Sequence, residues 1–327
     1  MDAPLLVIGF GLGPNGRAIA SEAIGDAGEI AYLADLDDAA RARTLRAATV
    51  LLSRNTANDL RPNEAALLGG ARLVQFITAG VDYIPLSALP GGVPVASNGG
   101  AYAAPMAEHA LAMALAASKR LLVEHANLKT GAFNQFTSNR MLAGGVCGIF
   151  GFGGIGRATA QLARGIGMRV HAINRRGHAD EPVDWIGTPD RLDELLAVSD
   201  VLVIAAPLTR ATMNLIGAAR LAGMKPDAIL VNLARGEIIE EAALYEHLRA
   251  HPGFTACIDA WWVEPVRHGR FRLDHPFLDL PNVIGSPHNS AQGGPRDAGL
   301  RHALANCRRA LLGEAPLHLI GDEERLL

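Results

Sequence analysis

The chain has 327 residues, of which 49% are apolar and 19% charged, and its net charge is −3. That length fits two domains of roughly 150 residues each, and the composition is that of a soluble globular protein and excludes a disordered one. The 30 basic and 33 acidic residues leave no cationic excess, so neither nucleic acid nor a membrane surface is expected as a partner. Cys147, Cys257 and Cys307 are odd in number and sit in apolar contexts, as buried free thiols of a reducing compartment do. The opening "MDAPLLVIGF" has no basic n-region and reads as a first strand, not a signal peptide. No apolar run reaches the roughly 18 residues needed to span a bilayer. A cytoplasmic location is expected.

Five short apolar runs come first: "LLVIGF", "EIAYLA", "ATVLLSR", "RLVQFITAG" and "VPVASN". The stretch "SNGGAYAAP" at 97–105 then marks a boundary. After it "MAEHALAMALAASKRLLVEHANLKTG" reads as one long helix with few breakers. Six more runs follow from about Gly145: "GVCGIFGFG", "MRVHAIN", "DVLVIAAP", "AILVNLA", "FTACIDAW" and "NVIGSPH". Most are continuous in Val, Ile and Leu, the mark of strands buried on both faces. Alternation with helical patterns predicts an α/β fold with parallel sheets wound on both sides.

Two runs match Gly-x-Gly-x-x-Gly: Gly11, Gly13 and Gly16, then Gly151, Gly153 and Gly156. The first glycine of such a run permits a tight turn, the second lets the backbone approach a pyrophosphate, and the third lets helix and strand pack closely. The first copy, with Asp35 behind "EIAYLA", reads either as an NAD site or as a strand-to-helix turn that binds no nucleotide. The second copy has fuller context. A strand precedes it, "GRATAQLARGIGM" follows at helical spacing, and "MRVHAIN" completes a βαβ unit of about 30 residues.

Ligands of open α/β sheets bind beyond the C-terminal ends of the strands. In the second half those ends carry Pro207, Thr209 and Thr212, then Arg235, then Asp259 with Glu264 close behind, then His288. An arginine, a glutamate and a histidine on one sheet edge imply a site. Arginine offers a two-point fork to a carboxylate. Histidine can exchange a proton near neutrality, and a carboxylate beside it orients the ring and favours its charged form. His247 and His251, four apart on a helical pattern, are the nearest approach to a metal pair, and no metal is expected.

"NLARGEIIEEAALYEHL", "CIDAWWVEP" and "SPHNS" resemble the three signature blocks of the D-isomer-specific 2-hydroxyacid dehydrogenases, among them the glyoxylate/hydroxypyruvate reductases and phosphoglycerate dehydrogenases. "LAGGVCGIFGFGGIGRATAQLARGIGMRV" resembles that family's nucleotide-binding block, and "RLVQFITAGVDYI" and "MAEHALAMALA" resemble two more. The resemblance implies two doubly wound parallel-sheet domains. A flavodoxin-like substrate domain would hold 1–98 and 291–327, and a Rossmann nucleotide domain 99–290. By the same resemblance the first glycine run lies in the substrate domain and binds no coenzyme.

The implied reaction moves hydride between a nicotinamide coenzyme and a small 2-oxo or D-2-hydroxy acid, with glyoxylate and hydroxypyruvate as first candidates. Arg235 would hold the substrate carboxylate, His288 would carry the proton, and Glu264 would support His288. The coenzyme would lie along Gly151, Gly153, Gly154, Ile155, Gly156, Asn174, Arg175, Arg176, Ala206, Pro207, Thr212, Leu233, Ala234 and Asp259. Peptide N–H groups of Ala79, Gly80 and Val81 would meet the substrate carboxylate, with Arg54 lining the same site and Asn98 ordering it. The family also implies a homodimer.

In "HAINRRG" an NAD enzyme would carry an acidic residue at position 174 for the adenosine 2′-hydroxyl. Asn174 removes the repulsion of a 2′-phosphate, and Arg175 and Arg176 offer cations. NADP(H) is therefore the preferred coenzyme and NAD(H) the other candidate. Three departures from the family are Phe133 where tryptophan is common, the pair Trp261 and Trp262, one of which is expected in the core, and the loose "NSAQGGP" after His288. Two alternatives stand beside the reductase: a formate- or phosphite-type dehydrogenase, and a coenzyme-sensing interaction protein like the co-repressors that share this fold.

Overall fold

A computed structural model of the chain describes residues 3–295, 297–321 and 324. Part of the expected tail of the substrate domain, namely residues 296, 322, 323 and 325–327, lies outside the described residues. The chain divides into two compact units, Met1–Tyr102 with Pro295–Leu327, and Ala103–Gly294.

The first unit holds β1 (Leu5–Ile8), α1 (Pro14–Ile24), β2 (Glu29–Tyr32), α2 (Asp38–Ala47), β3 (Val50–Ser53), α3 (Thr56–Asp59), β4 (Leu73–Phe76) and β5 (Val95–Ala96). Its sheet runs β2-β1-β3-β4-β5 with every pairing parallel. That is the flavodoxin-like order, with its switch point between β1 and β3. Side chains alternate across a strand, and the sheet thereby feeds two cores. Leu6, Ile8, Val50 and Leu52 pack on one face, and Val7, Leu51, Val74 and Phe76 on the other.

The second unit begins with α4 (Ala103–Ser118) and α5 (Leu121–Lys129). The sequence pattern predicts one continuous helix over this stretch, and it breaks because Arg120 adopts a left-handed conformation, φ 52°. The sheet is built from β6 (Val146–Phe150), β7 (Arg169–Ile173), β8 (Trp185–Gly187), β9 (Val201–Ile204), β10 (Ile229–Asn232), β11 (Thr255–Ile258) and β12 (Val283–Gly285). Between them lie α6 (Gly154–Gly165), α7 (Leu192–Val198), α8 (Ala218–Ala222), α9 (Glu241–Ala250) and α10 (Pro265–His268). The order is β12-β11-β10-β9-β6-β7-β8, again wholly parallel. This is the Rossmann order, and its switch point lies between β6 and β9. The chain then returns to the first unit as α11 (Ala298–Leu311), whose Leu300, Ala303, Leu304 and Cys307 join the core that faces α1. The tail closes the open edge of β5, where Ala96 bridges Leu319.

Cys147, Cys257 and Cys307 are buried free thiols, and burial pushes the first two up to about 12. Among the described residues no helix is long and apolar enough to cross a membrane.

One buried ion pair fastens the first unit. Arg41 on α2 donates Nε and Nη2 to the two oxygens of Glu64 at 2.9 and 2.7 Å, with both side chains at most 10% exposed. Arg41 also reaches the Leu33 carbonyl, and Glu64 accepts the Arg61 N–H. The hydrogen bonds from Arg41 hold the Glu64 carboxyl below its ordinary range, against the opposing effect of burial. A depressed carboxyl contributes stability that is complete above its unfolded pKa and is lost as pH falls through the folded value. Glu64→Gln should lower the unfolding free energy by about 3 kcal/mol at neutral pH, and by less below the carboxylate range. Urea titrations at the two pH values check both statements.

Candidate active site

The two glycine runs look alike in sequence and differ in space. At Gly11 and Gly13 an added Cβ would meet nothing within 4 Å. Asp35 is held by Arg17 through two bonds of 2.7 and 2.8 Å. The second run is closed tightly. Gly151 turns with φ 104°, and a Cβ there would lie 2.4 Å from the Ala206 nitrogen on the neighbouring strand's exit. A Cβ on Gly156 would lie 2.3 Å from the Gly151 carbonyl oxygen. Gly153, the N-cap of α6, leaves open space where its Cβ would stand. Gly154, Ile155 and Gly156 form the first turn of α6, whose N–H groups a phosphate could use.

Around this turn the loops after the strands are closed by their own polar groups. After β7 the Asn174 Oδ1 accepts the N–H groups of Arg176 and Gly177, and its Nδ2 donates to the His178 carbonyl. Arg175 and Arg176 stand at exposed positions on that loop. After β9 and Ala206, the Thr212 hydroxyl donates to the Pro207 carbonyl and accepts the Thr209 N–H. After β10 the buried Asn232 accepts the Ala234 N–H and donates to the Arg235 carbonyl, which fixes the Leu233–Arg235 turn.

The structure brings Glu264 and His288 together. His288 Nδ1 lies 2.9 and 2.8 Å from the two carboxylate oxygens of Glu264. The Trp261 N–H donates to the same carboxylate at 2.6 Å. Burial pushes the Glu264 carboxyl up, but the hydrogen bond and charge of His288, the Trp261 N–H and the nearby Arg235 outweigh it and leave it below its ordinary range. A carboxylate can only accept, so His288 Nδ1 carries a hydrogen and Nε2 is left for proton exchange. His288 has φ 49°, a left-handed conformation that is uncommon for a residue with a Cβ. Gly236, next to Arg235, is another forced glycine, since its Cβ would lie 2.5 Å from the backbone of Trp261 and Trp262.

Asp259 is fully buried at the end of β11 and accepts bonds from Ser286, Asn289 and Ser290. His109 on α4 lies 3.0 Å from the Ser286 hydroxyl. The sequence does not single out His109 or Ser286. A histidine inside an apolar helix pattern gives no sign of what it faces.

In the first unit, Arg54 follows β3 with its guanidinium 4.4 Å above the Phe10 ring. Ala79, Gly80 and Val81 follow β4. The buried Asn98 donates its side-chain amide to the Ile77 carbonyl and its backbone N–H to the Thr78 carbonyl, just ahead of that loop. His247 and His251 stack at 4.2 Å, and among the described residues no third ligand joins them.

Residues 111–290 match the family model described as the NAD binding domain of D-isomer specific 2-hydroxyacid dehydrogenases. The chain belongs to that family. It is 36% identical over 224 residues to glyoxylate/hydroxypyruvate reductase B of Pectobacterium carotovorum, covering 67% of this chain and 68% of the relative. It is 30% identical to a glyoxylate reductase of Thermococcus gammatolerans, over 86% and 85% of the two chains. A crystal structure of a D-isomer specific 2-hydroxyacid dehydrogenase family protein from Aeromonas salmonicida superposes with a TM-score of 0.75, at 25% identity, over 98% of this chain and 99% of that one. This D-2-hydroxyacid dehydrogenase is thus an oxidoreductase of CH–OH donors that uses a nicotinamide coenzyme.

Its residues fit that coenzyme. Gly151 and Gly156 close the turn so tightly that neither admits a Cβ, which holds the first N–H groups of α6 where a phosphate could use them, and the buried Ser290 hydroxyl has no hydrogen-bond partner among the described residues. Both tryptophans of this dehydrogenase are core, where the sequence predicts only one to be. Trp261 donates its indole N–H to the Ser286 carbonyl, and Trp262 donates to the Ile239 carbonyl while stacking on Phe277. Gly156→Ala should force α6 away from β6, weakening coenzyme binding at least tenfold and costing about 1–3 kcal/mol of stability. Titration of coenzyme fluorescence and thermal unfolding measure the two effects.

Proposed function

We propose that this dehydrogenase is an NADP(H)-preferring reductase of a small 2-oxo acid, with glyoxylate and hydroxypyruvate as its first substrates. The observation that carries the reading is the Glu264–His288 pair at the strand ends beside Arg235. The nicotinamide, when bound, supplies or accepts the hydride. Arg235 holds the substrate carboxylate and polarises the carbonyl. His288 Nε2 delivers a proton to the oxygen on reduction and takes it back on oxidation. Glu264, ionised at neutral pH, holds Nδ1–H and so keeps the ring oriented.

The coenzyme is held along Gly151, Gly153, Gly154, Ile155, Gly156, Asn174, Arg175, Arg176, Ala206, Pro207, Thr212, Leu233, Ala234 and Asp259. The preference for NADP(H) is supported by the exposed arginines at 175 and 176 and by an uncharged side chain at 174. The names of the curated relatives support the substrate class.

The protein acts as a homodimer in this reading. Leu121, Leu122 and Leu128 on α5, with Phe133, Phe136 and Met141 after it, are each more than half exposed, an apolar face suited to a second copy. Light scattering should give twice the chain mass, and a monomer at micromolar concentration would overturn the assignment.

A panel of 2-oxo acids assayed with NADH and NADPH tests the activity. His288→Ala should lower kcat by about 100-fold or more, Arg235→Ala should abolish turnover as well, and Glu264→Gln should mainly displace the pH profile. Arg175→Asp should reduce the preference for NADPH by about tenfold. Full activity in either alanine variant refutes the roles of Arg235 and His288. Tight coenzyme binding with no turnover on any acid would indicate a sensor in place of a reductase.

A further inference from the structure

His288 sits on a turn that is held from beneath. Its N–H donates to the Asp259 carbonyl at 3.0 Å. The next two N–H groups, of Asn289 and Ser290, donate to the two carboxylate oxygens of Asp259 at 3.1 and 3.3 Å. These bonds hold a left-handed histidine that would otherwise relax, since such a conformation is costly for a residue with a Cβ. The turn therefore depends on the rotamer of Asp259.

That rotamer is set from a different element. The Ser286 hydroxyl is bonded both to Asp259 Oδ1 and to His109 Nε2, the latter at 3.0 Å. The carboxylate can only accept, so the hydroxyl donates to it. The Ser286 oxygen then accepts, and His109 must present Nε2–H. The proton order is therefore fixed: His109 Nε2–H to Ser286, Ser286 O–H to Asp259. Asp259 is wholly buried, and His109 lies within ion-pair reach of it, at 3.8 Å. The Ser286 carbonyl is pinned in turn by the Trp261 indole at 2.8 Å. A buried carboxylate lacking these donors would be left short of hydrogen bonds.

We propose that His109 is a positioning residue for His288: through Ser286 it holds the Asp259 carboxylate, and with it the turn that presents the imidazole. The inference rests on the reading of His288 as the proton carrier.

The test uses the full chain with His109→Leu, His109→Gln, Ser286→Ala and the His109→Leu/Ser286→Ala double variant. The measurements are kcat, KM for the 2-oxo acid, and thermal unfolding. Leucine keeps apolar volume and removes the donor, whereas glutamine keeps an N–H that can reach Ser286. His109→Leu should lower kcat about tenfold with KM within twofold, and His109→Gln should recover most of it. Ser286→Ala should reproduce the loss, and the double variant should be no worse than either single one, as members of one chain of bonds are. Unchanged kcat in His109→Leu, or equal losses with leucine and glutamine, overturns the proposal. If His109→Leu does not fold, unchanged kcat in Ser286→Ala overturns it instead. His288→Ala run alongside separates the two levels. An inactive His288→Ala with a fully active His109→Leu removes this inference alone, whereas an active His288→Ala removes the reading beneath it.

Discussion

The site is organised around one buried carboxylate that has to be satisfied. Glu264 is only 6% exposed, and a charge so placed is costly unless hydrogen bonds surround it. Its partners come from two places along the chain: the Trp261 N–H three residues back, and the His288 ring from beyond β12. Meeting that demand fixes the ring's orientation and its tautomer at once. The neighbouring packing follows from the same constraint. Because the backbone at Trp261 must reach Glu264, it runs hard against Gly236, and any side chain there would push Arg235 out of place.

Much of the framework was legible because it rests on period and punctuation. Continuous runs such as "VLVI" and "ILVN" became central strands, since only strands covered on both faces tolerate so little polarity. Arg235, Glu264 and His288 were legible for a topological reason: in a wound sheet, polar residues immediately after buried strands are brought to one edge. Glycine patterns were only half legible. Two identical strings of spacing proved different because what a Cβ would touch depends on the neighbouring strand, and Gly151 faces Ala206 while Gly11 faces nothing.

Other features left no local mark. The strand Trp185–Gly187 is three residues long, too short to form an apolar run, and exists because it pairs with β7. The break at Arg120 is a backbone choice that arginine does not advertise. Arg41 and Glu64 read as ordinary surface charges 23 positions apart, yet each is buried by the other. His109 belongs to the same class. Its helix reads as apolar packing, and its role depends on Ser286, far along the chain. Trp261 and Trp262 were legible as unusual and only one of them as core, because the acceptors that make an indole acceptable inside, the Ser286 and Ile239 carbonyls, are not visible in one dimension.

The loop after β7 has a consequence of another kind. Asn174 directs both its amide oxygen and its amide nitrogen into the loop's own backbone, so the shape of the loop is maintained by that one side chain. The positions beside it, 175 and 176, are exposed. In the proposed reading the side chain that braces the loop, Asn174, is distinct from the two that would meet the coenzyme's outer end. On that reading an exchange at 175 or 176 would leave the Asn174 hydrogen bonds in place, so coenzyme choice could drift under selection while the strand ends that carry Glu264 and His288 stay as they are.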